Sequence, residues 1–253
     1  MADKIVLFGV ITLYPYTILM VLGVTVCFLL FMLLTFKRHK QAADENLFVL
    51  SMFVVSLGLS FPASVLTDSL FKLIETGEFV FGSSTFYGGM LCVLAVFPLL
   101  LLIKKKHKVS VYERLCDLAP CAPAGHFLGR IGCFLGGCCF GSPTDSCLGV
   151  VFPENSPPYN YYGGFVAVHP TQLYEAAYLL GLFLFLFLFV KRDALPLYLI
   201  LYGAGRIFVE FFRNDDRGGV GLPLSPAQFL SILLIILGAG IFAVRYYRKA
   251  PSE

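Results

Sequence analysis

Long apolar runs separated by short polar segments fill almost the whole chain. Each run approaches the ~20 residues that a helix needs to cross the hydrocarbon core of a bilayer. The pattern therefore predicts an all-α integral membrane protein with about seven transmembrane helices, built as a single polytopic membrane domain over residues 1–253. The predicted spans are 13–36, 47–72, 86–103, 113–136, 170–190, 195–212 and 225–244.

The fourth span differs from the others because polar residues and prolines interrupt it. Asp117, Pro120, Pro123, His126 and Arg130 all fall inside it. A broken or partly re-entrant helix would explain them, and a membrane protein tolerates one only where protein or a water-filled cavity satisfies the freed backbone groups.

Composition supports lipid as the main solvent. The chain is 58% hydrophobic and 14% charged, with a mean hydropathy of +0.80, whereas soluble domains are roughly 45–50% apolar and about 25% charged. A formal net charge of +3 is too small to favour nucleic-acid binding, so none is expected.

Basic clusters orient the predicted spans. Four clusters follow odd-numbered spans and hold 13 of the 19 Lys and Arg: KRHK at 37–40, KKKHK at 104–108 with Arg114, KR at 191–192 and RYYRK at 245–249. Positive charge marks the cytoplasmic side, which places the amino terminus outside and the carboxyl terminus in the cytoplasm. Residues 142–169 carry no Lys or Arg but hold YNYYGG at 159–164, so they are predicted to form an extracytoplasmic loop and candidate lid.

Several polar residues converge near the outer ends of these spans. An arginine inside a span costs about 2.5–3.5 kcal/mol on insertion scales, so Arg206 needs a partner or a ligand. Glu210, four residues later, is the nearest candidate. The alternative is a structural ion pair that locks two helices, and Arg130 weakens it. Two arginines beside one glutamate leave excess positive charge, which suits an anionic headgroup. Arg213, at a helix end, fits lipid snorkelling and ligand binding equally.

Four cysteines on the predicted outer side admit three interpretations, namely packing, disulfide bonding and metal binding. They are Cys133, Cys138, Cys139 and Cys147. Their C-x4-C-C-x7-C spacing differs from the C-x2-C pairs of zinc sites, which disfavours metal. An oxidising compartment would permit a disulfide.

Four segments of the chain resemble the prolipoprotein diacylglyceryl transferases of bacterial inner membranes. They are TFYGG at 85–89, GRIGCFLGGCCFG at 129–141, HPTQLYE at 169–175 and YGAGRIFVEFFR at 202–213. The second is similar to the family signature G-R-x-G-N-F-x-N-G-E-x-x-G, and the third to H-P-[ST]-Q-L-Y-E. The resemblance implies transfer of a diacylglyceryl group from phosphatidylglycerol, or a similar anionic phospholipid, to the lipobox cysteine of a prolipoprotein. It implies no metal and no redox cofactor.

The resemblance also assigns roles to matching positions. Arg130 and Arg206 would bind phosphate and stabilise its charge on departure, Tyr202 and Glu210 would position them, and the family's thiol-activating histidine falls on Tyr87. The substrate-binding set implied in this way is Tyr16, Gly88, Gly89, Gly141, His169, Gln172 and Arg213. Adjacent glycines such as Gly88 and Gly89 let backbone approach either a ligand or another helix. His169, before Pro170, would equally serve as a helix cap.

This chain departs from the family pattern at four polar positions. Tyr87 replaces the histidine, Cys133 and Gly136 replace the two asparagines, and Cys138 replaces the glutamate. A tyrosine has a pKa near 10 and is a poor base at neutral pH unless a cation such as Arg206 lowers it. Two further hypotheses therefore stand beside the transferase: a related glycerophospholipid transferase with another acceptor, and a non-catalytic protein that binds or moves lipid. A third is a variant gated by oxidation of the outer cysteines.

Overall fold

Helices account for most of the described residues, which are 5–7, 11–81, 86–104, 107–213 and 224–249 in the computed structural model. The helices are α1 (Pro15–Arg38), α2 (Ala43–Thr76), α3 (Phe86–Leu101), α4 (Val111–Leu118), α5 (Cys121–Gly136), α6 (Pro157–Tyr162), α7 (Thr171–Phe189), α8 (Ala194–Glu210) and α9 (Pro226–Lys249), with a short 3-10 turn at Lys40–Ala42. Two antiparallel strand pairs accompany them: β1 (Ile5–Leu7) with β2 (Ile11–Leu13), and β3 (Val150–Val151) with β4 (Ala167–Val168).

Four of these helices are long and apolar enough to cross a membrane: Pro15–Arg38, Ala43–Leu70, Thr171–Phe189 and Ala227–Tyr247. They coincide with the first, second, fifth and seventh predicted spans. Apolar side chains are exposed along them, including Leu184 and Phe189 on α7, as expected for helices that lipid surrounds. The all-α membrane class is therefore confirmed, while the count of seven spans stays a prediction. α3 and α8 lie at the third and sixth predicted spans but are shorter, with 16 and 17 residues.

The fourth predicted span is two helices. α4 ends at Leu118 and α5 begins at Cys121, with Pro120 immediately before it. Proline disfavours a helical conformation in the residue that precedes it and donates no backbone hydrogen bond, so the chain turns at this point. Pro123 falls in the first turn of α5, where proline is tolerated.

The described residues group into two compact units. The first unit combines residues 1–30, 118–217 and 231–253. In it α5 packs against α7 and α7 against α8, while α1 and α5 approach backbone to backbone. A Cβ added to Gly125 would lie only 2.6 Å from the carbonyl oxygen of Gly23. These glycines therefore bring α1 unusually close to α5.

The second unit comprises residues 31–117 and 218–230. The rings of Phe31, Phe53 and Phe97 meet edge to face in its core. Arg38 and the ring of His39 bind the Asp117 carboxylate at 2.8 and 2.7 Å. Within this unit the basic end of α1 is thus held by the end of α4.

Candidate functional site

Arg130 is a buried arginine on α5 with two polar partners. Its Nη2 lies 2.9 Å from Oε1 of Glu175 on α7, and its Nε donates to Nε2 of His126 at 3.2 Å. Nε2 of His126 also lies 3.8 Å from Oε1 of Glu175. Because Nε2 of His126 accepts a hydrogen bond, it carries no proton and the imidazole is neutral. A buried charged pair therefore links α5 to α7.

Arg206 lies on α8 and is 2% exposed. Its Nη1 is 2.7 Å from Oε2 of Glu210, and Nε of Arg213 approaches the same oxygen at 4.0 Å. The predicted partnership of Arg206 and Glu210 is confirmed. Nε of Arg206 has no hydrogen-bond partner among the described residues. A buried N–H group without an acceptor destabilises the folded protein, and an oxygen atom of a ligand would accept its hydrogen bond.

The site contains two charged clusters: the first is Arg130 with Glu175, and the second is Arg206 and Arg213 with Glu210. Their charges do not cancel. Three guanidinium groups, Arg130, Arg206 and Arg213, face the two carboxylates of Glu175 and Glu210, and the arginines of the second cluster also act electrostatically on Glu175. The sequence-based count of one glutamate beside two arginines was wrong because Glu175 is distant from both arginines along the chain. Since Arg213 joins the group, one positive charge still remains in excess.

Two tyrosines of the predicted site, Tyr202 and Tyr16, lie close to residues of α5. Tyr202 is 1% exposed and lies one helical turn before Arg206; its ring centroid is 5.6 Å from that of Tyr198 and 5.9 Å from that of His126. Tyr202 therefore packs between α8 and the Arg130 cluster, as a positioning group would. Tyr16, at the start of α1, lies beside the end of α5: a Cβ on Gly132 would be 3.2 Å from its carbonyl oxygen.

The chain after α5 folds back onto the ends of α7 and α8. Gly141 pairs with Arg213 in an isolated β-bridge and donates its N–H to the carbonyl oxygen of His169 at 2.9 Å. A Cβ at Gly141 would collide with the carbonyl oxygen of Phe212. Packing alone thus requires the glycine. The His169 ring contacts Oη of Tyr174 at 3.1 Å and lies edge to face on Phe212.

The cysteines at the end of α5 form a cluster. The sulfur atoms of Cys133, Cys138 and Cys139 all lie within 4.8 Å of one another. Thr171 and Gln172, both 1% exposed, donate their side-chain hydrogen bonds to the carbonyl oxygens of Cys139 and Cys138. Hydrogen bonds from the two neighbouring thiols, together with the charges of Arg213 and Arg130, lower the pKa of Cys139. Gln172 therefore has a defined contact, which is with this cluster.

Tyr87, Gly88 and Gly89 belong to the second unit. Tyr87 lies in the first turn of α3, and its side chain falls outside the described part of the chain. A Cβ on Gly88 would come within 2.5 Å of Oγ1 of Thr67, and one on Gly89 within 3.3 Å of the Ser60 carbonyl oxygen. These glycines let α3 approach α2, which is the helix-packing alternative for this segment.

Residues 142–169 form an ordered cover over the end of α5. They contain β3, α6 and β4, and the ring of Phe140 meets those of Tyr161 and Tyr162 edge to face. Oη of Tyr162 donates to the carbonyl oxygen of Gly141 at 3.4 Å. The aromatic part of this loop therefore contacts the signature segment, while its assignment as a lid stays a prediction.

An apolar cavity of about 330 Å³ lies between α7 and α8. Its lining residues are Tyr174, Tyr178, Ala204, Gly205, Phe208 and Val209. Gly205 is next to Arg206 in sequence, and a Cβ there would collide with the ring of Tyr178. An apolar space thus lies along the turn of α8 that also carries Arg206.

His126 and Glu175 are the two site residues that sequence reasoning did not assign. Helical spacing held a signal for each: His126 is one turn before Arg130, and Glu175 is one turn after the start of α7. Their pairing across α5 and α7 is tertiary, however, and no periodicity reveals it.

Comparison with known proteins gives consistent matches. A family model described as "Prolipoprotein diacylglyceryl transferase" matches residues 4–244. Three similar proteins are each named phosphatidylglycerol--prolipoprotein diacylglyceryl transferase, the second with the suffix 2. The Clostridium tetani protein is 41% identical over 57% of this chain and 58% of its own length. The Clostridium perfringens protein is 31% identical over 98% of this chain and 97% of its own length. The Teredinibacter turnerae protein is 34% identical over 85% of this chain and 75% of its own length.

Proposed function

The chain belongs to the prolipoprotein diacylglyceryl transferase family, and on that premise we propose that it moves the diacylglyceryl group of phosphatidylglycerol to the thiol of a prolipoprotein cysteine. In this reaction the acceptor sulfur bonds to the terminal glyceryl carbon, the bond from that carbon to the phosphate oxygen breaks, and glycerol phosphate leaves with the electron pair. The thiol proton passes to solvent.

One observation carries the proposal: a buried cluster of three guanidinium groups and two carboxylates has one positive charge in excess. A phosphodiester brings one negative charge, and its oxygens accept hydrogen bonds from arginine. Nε of Arg206 is a buried donor without a hydrogen-bond partner among the described residues, and a phosphate oxygen would satisfy it. As the phosphate departs its charge rises, and fixed guanidinium groups then stabilise it more strongly than they stabilise the bound lipid.

The apolar cavity beside Arg206 favours a lipid over a soluble phosphate ester. Its walls are aromatic and aliphatic, so it suits the start of an acyl chain whose headgroup lies at the arginines. A soluble phosphate compound would gain nothing from that space.

We assign the roles accordingly. Arg130, Arg206 and Arg213 contact the phosphate, whereas Glu210 and Tyr202 position Arg206. Tyr16 contacts lipid at the end of α5. Tyr87 occupies the position of the family's thiol-activating histidine, and a phenol with a pKa near 10 is a poor base at neutral pH. Gly141, His169 and Gln172 shape the site through packing and hydrogen bonds, and Gly88 and Gly89 allow the close packing of α3 on α2.

The proposed setting is a bacterial inner membrane crossed seven times, with the amino terminus outside. Four apolar helices support a membrane location, and the asymmetry of Lys and Arg supports the orientation. Cysteine-scanning accessibility at residues 37–40 and 142–169 would test it: labelling of residues 37–40 from the outside would contradict the orientation.

Activity is tested with purified protein, labelled phosphatidylglycerol and a peptide that carries a lipobox cysteine. We expect a thioether-linked diacylglyceryl peptide and an equal amount of glycerol phosphate. Glycerol phosphate release with a different nucleophile would identify a related transferase with another acceptor. Phospholipid binding with no bond cleavage under any condition would instead identify a non-catalytic lipid-binding protein and overturn the proposal.

A further inference from the structure

Three thiols meet beside Arg130, although nothing in the transfer mechanism above uses them. Cys133 lies on α5, one helical turn after Arg130, and Cys138 and Cys139 follow just beyond the end of that helix. All three are partly accessible rather than sealed in a core. A cysteine cluster that serves packing alone is normally buried in apolar surroundings.

The backbone that carries the cluster is built to hold it. The N–H of Gly137 donates to the carbonyl oxygen of Phe134, and that of Cys138 donates to the carbonyl oxygen of Cys133, both at 3.1 Å. This is the Schellman arrangement, with Gly137 in the left-handed region at φ 71°. It returns Cys138 to the level of Cys133, so residues five apart in sequence become neighbours.

Two further features fix the same turn. Cys139 adopts φ 62°, which a residue with a side chain rarely takes and which costs about 1 kcal/mol or more. The carbonyl groups of Cys138 and Cys139 are held by the buried side chains of Gln172 and Thr171. Hydrogen bonds from two α7 side chains thus hold the backbone of this turn. In this backbone conformation the three sulfur atoms lie close together.

The spacing of the sulfur atoms fits a thiolate-bound metal. Zinc binds cysteine sulfur at about 2.3 Å in a tetrahedral arrangement, which puts sulfurs roughly 3.8 Å apart. The three sulfurs here lie within 4.8 Å of one another, so side-chain rotation closes the difference.

We propose that Cys133, Cys138 and Cys139 bind one thiophilic cation of the zinc class, and that its remaining coordination position receives the acceptor thiol. Three protein ligands and one open position are the arrangement of catalytic rather than structural zinc sites. The second half of the inference rests on the proposed function, whereas metal binding itself does not.

A metal at this site would explain how the chain activates the acceptor thiol although position 87 holds a tyrosine instead of the family's histidine. Each of the three cysteines releases its proton to solvent when the cation binds. The acceptor thiol does the same on entering the open position, because a coordinating thiol is deprotonated. Its sulfur then bonds to the glyceryl carbon, glycerol phosphate departs, and the neutral thioether product is a weak ligand that dissociates. No oxidant or reductant is required.

The site is tested first by metal binding without any activity measurement. The protein is purified in detergent, reduced and treated with a chelator. It is then titrated with Zn²⁺, and the bound zinc is measured by elemental mass spectrometry. We expect one zinc per chain. Co²⁺ in place of zinc should give the visible absorption of a tetrahedral thiolate complex.

Matched variants locate the site. Cys133→Ser, Cys138→Ser and Cys139→Ser should each lower zinc affinity by at least about tenfold. Cys147→Ser, which alters an exposed cysteine in the loop that follows, should bind zinc like the unmodified chain. Alkylation of the unmodified chain provides a measurement that does not depend on how the variants fold. Zinc should protect Cys133, Cys138 and Cys139 from the reagent and leave Cys147 reactive. Equal labelling with and without zinc, or a disulfide among the three under the conditions in which the protein is active, would overturn the site.

The acceptor role is tested by transfer to the lipobox peptide before and after metal removal. We expect loss of transfer on chelation and recovery on addition of zinc. Full transfer by metal-free protein would overturn the metal's role and leave the proposed function intact. Zinc binding with no transfer under any condition would overturn the proposed function and the acceptor role together, while the metal site itself would stand.

Discussion

Removing the charge pair on α8 separates a phosphate-binding role from a structural one. Nη1 of Arg206 lies 2.7 Å from Oε2 of Glu210, and both side chains are nearly inaccessible. Arg206→Ala would remove the partner at 2.7 Å from the Glu210 carboxylate, while Arg213 lies farther away, at 4.0 Å. Breaking a buried pair from one side costs about 3–5 kcal/mol, and Arg213 keeps the loss toward the lower end. This variant alone would therefore confuse misfolding with inactivity.

The double variant Arg206→Met/Glu210→Gln avoids that confusion. Methionine occupies much of the arginine's volume, glutamine keeps an acceptor for Arg213, and exchange of a buried ion pair for neutral groups is often close to neutral for stability. We expect its midpoint of thermal unfolding in detergent to stay near that of the unmodified chain. If Arg206 stabilises the departing phosphate, loss of this donor lowers kcat about 10²–10³-fold, equivalent to roughly 2.7–4 kcal/mol.

Arg206→Lys completes the series because it keeps the charge and loses the planar fork of donors. We expect it to retain phosphatidylglycerol binding better than the double variant, with a KM close to normal and a reduced kcat. Product formation from labelled phosphatidylglycerol and the lipobox peptide gives both constants. A folded double variant with unchanged kcat/KM would show that the pair only locks the helix, and the reasoning from charge would be refuted.

Three further predictions follow from other parts of the molecule. Gly88→Ala should destabilise the protein by about 1–3 kcal/mol through overpacking against Thr67, whereas Gly58→Ala, which meets nothing within 4 Å on α2, should be neutral or stabilising by up to about 1 kcal/mol; thermal unfolding of both checks this. Glu175→Gln should lower kcat/KM and stability together, because Arg130 loses its carboxylate partner at 2.9 Å; unchanged unfolding and activity would remove Glu175 from the site. Tyr87→His should support transfer by metal-free protein above about pH 7, where an imidazole with an ordinary pKa near 6.5 is an unprotonated base, and a pH profile of the chelated variant tests it.

Sequence patterns correctly predicted the features that depend on residues close together in the chain. Apolar runs predicted α1, α2, α7 and α9 because hydropathy over about 20 residues is enough to define a spanning helix. The pairing of Arg206 with Glu210 followed from helical spacing of four residues. The break before α5 followed from its prolines.

Tertiary contacts decided what the sequence left undetermined. Arg130 meets Glu175 because α5 packs against α7, and that contact depends on how the helices cross. The glycines at 88 and 89 had two interpretations, ligand approach and helix approach, which no sequence pattern separates. Only the position of Thr67 on the facing helix favours the second.

The cysteine spacing did not reveal that three thiols lie close together, and the reason is physical. The C-x2-C rule describes thiols that a tight turn brings together. In this chain the end of α5 brings them together instead, because Gly137 reverses the chain direction and residues 133 and 138 become neighbours. A C-x4-C-C pattern that spans a glycine helix cap therefore places three thiols together as effectively as a zinc turn. Besides Gly136, this chain departs from the family pattern at three positions, which are the histidine, at Tyr87, and two polar groups, at Cys133 and Cys138. A thiolate-bound cation would account for these departures together, since it supplies the thiol activation that the phenol lacks.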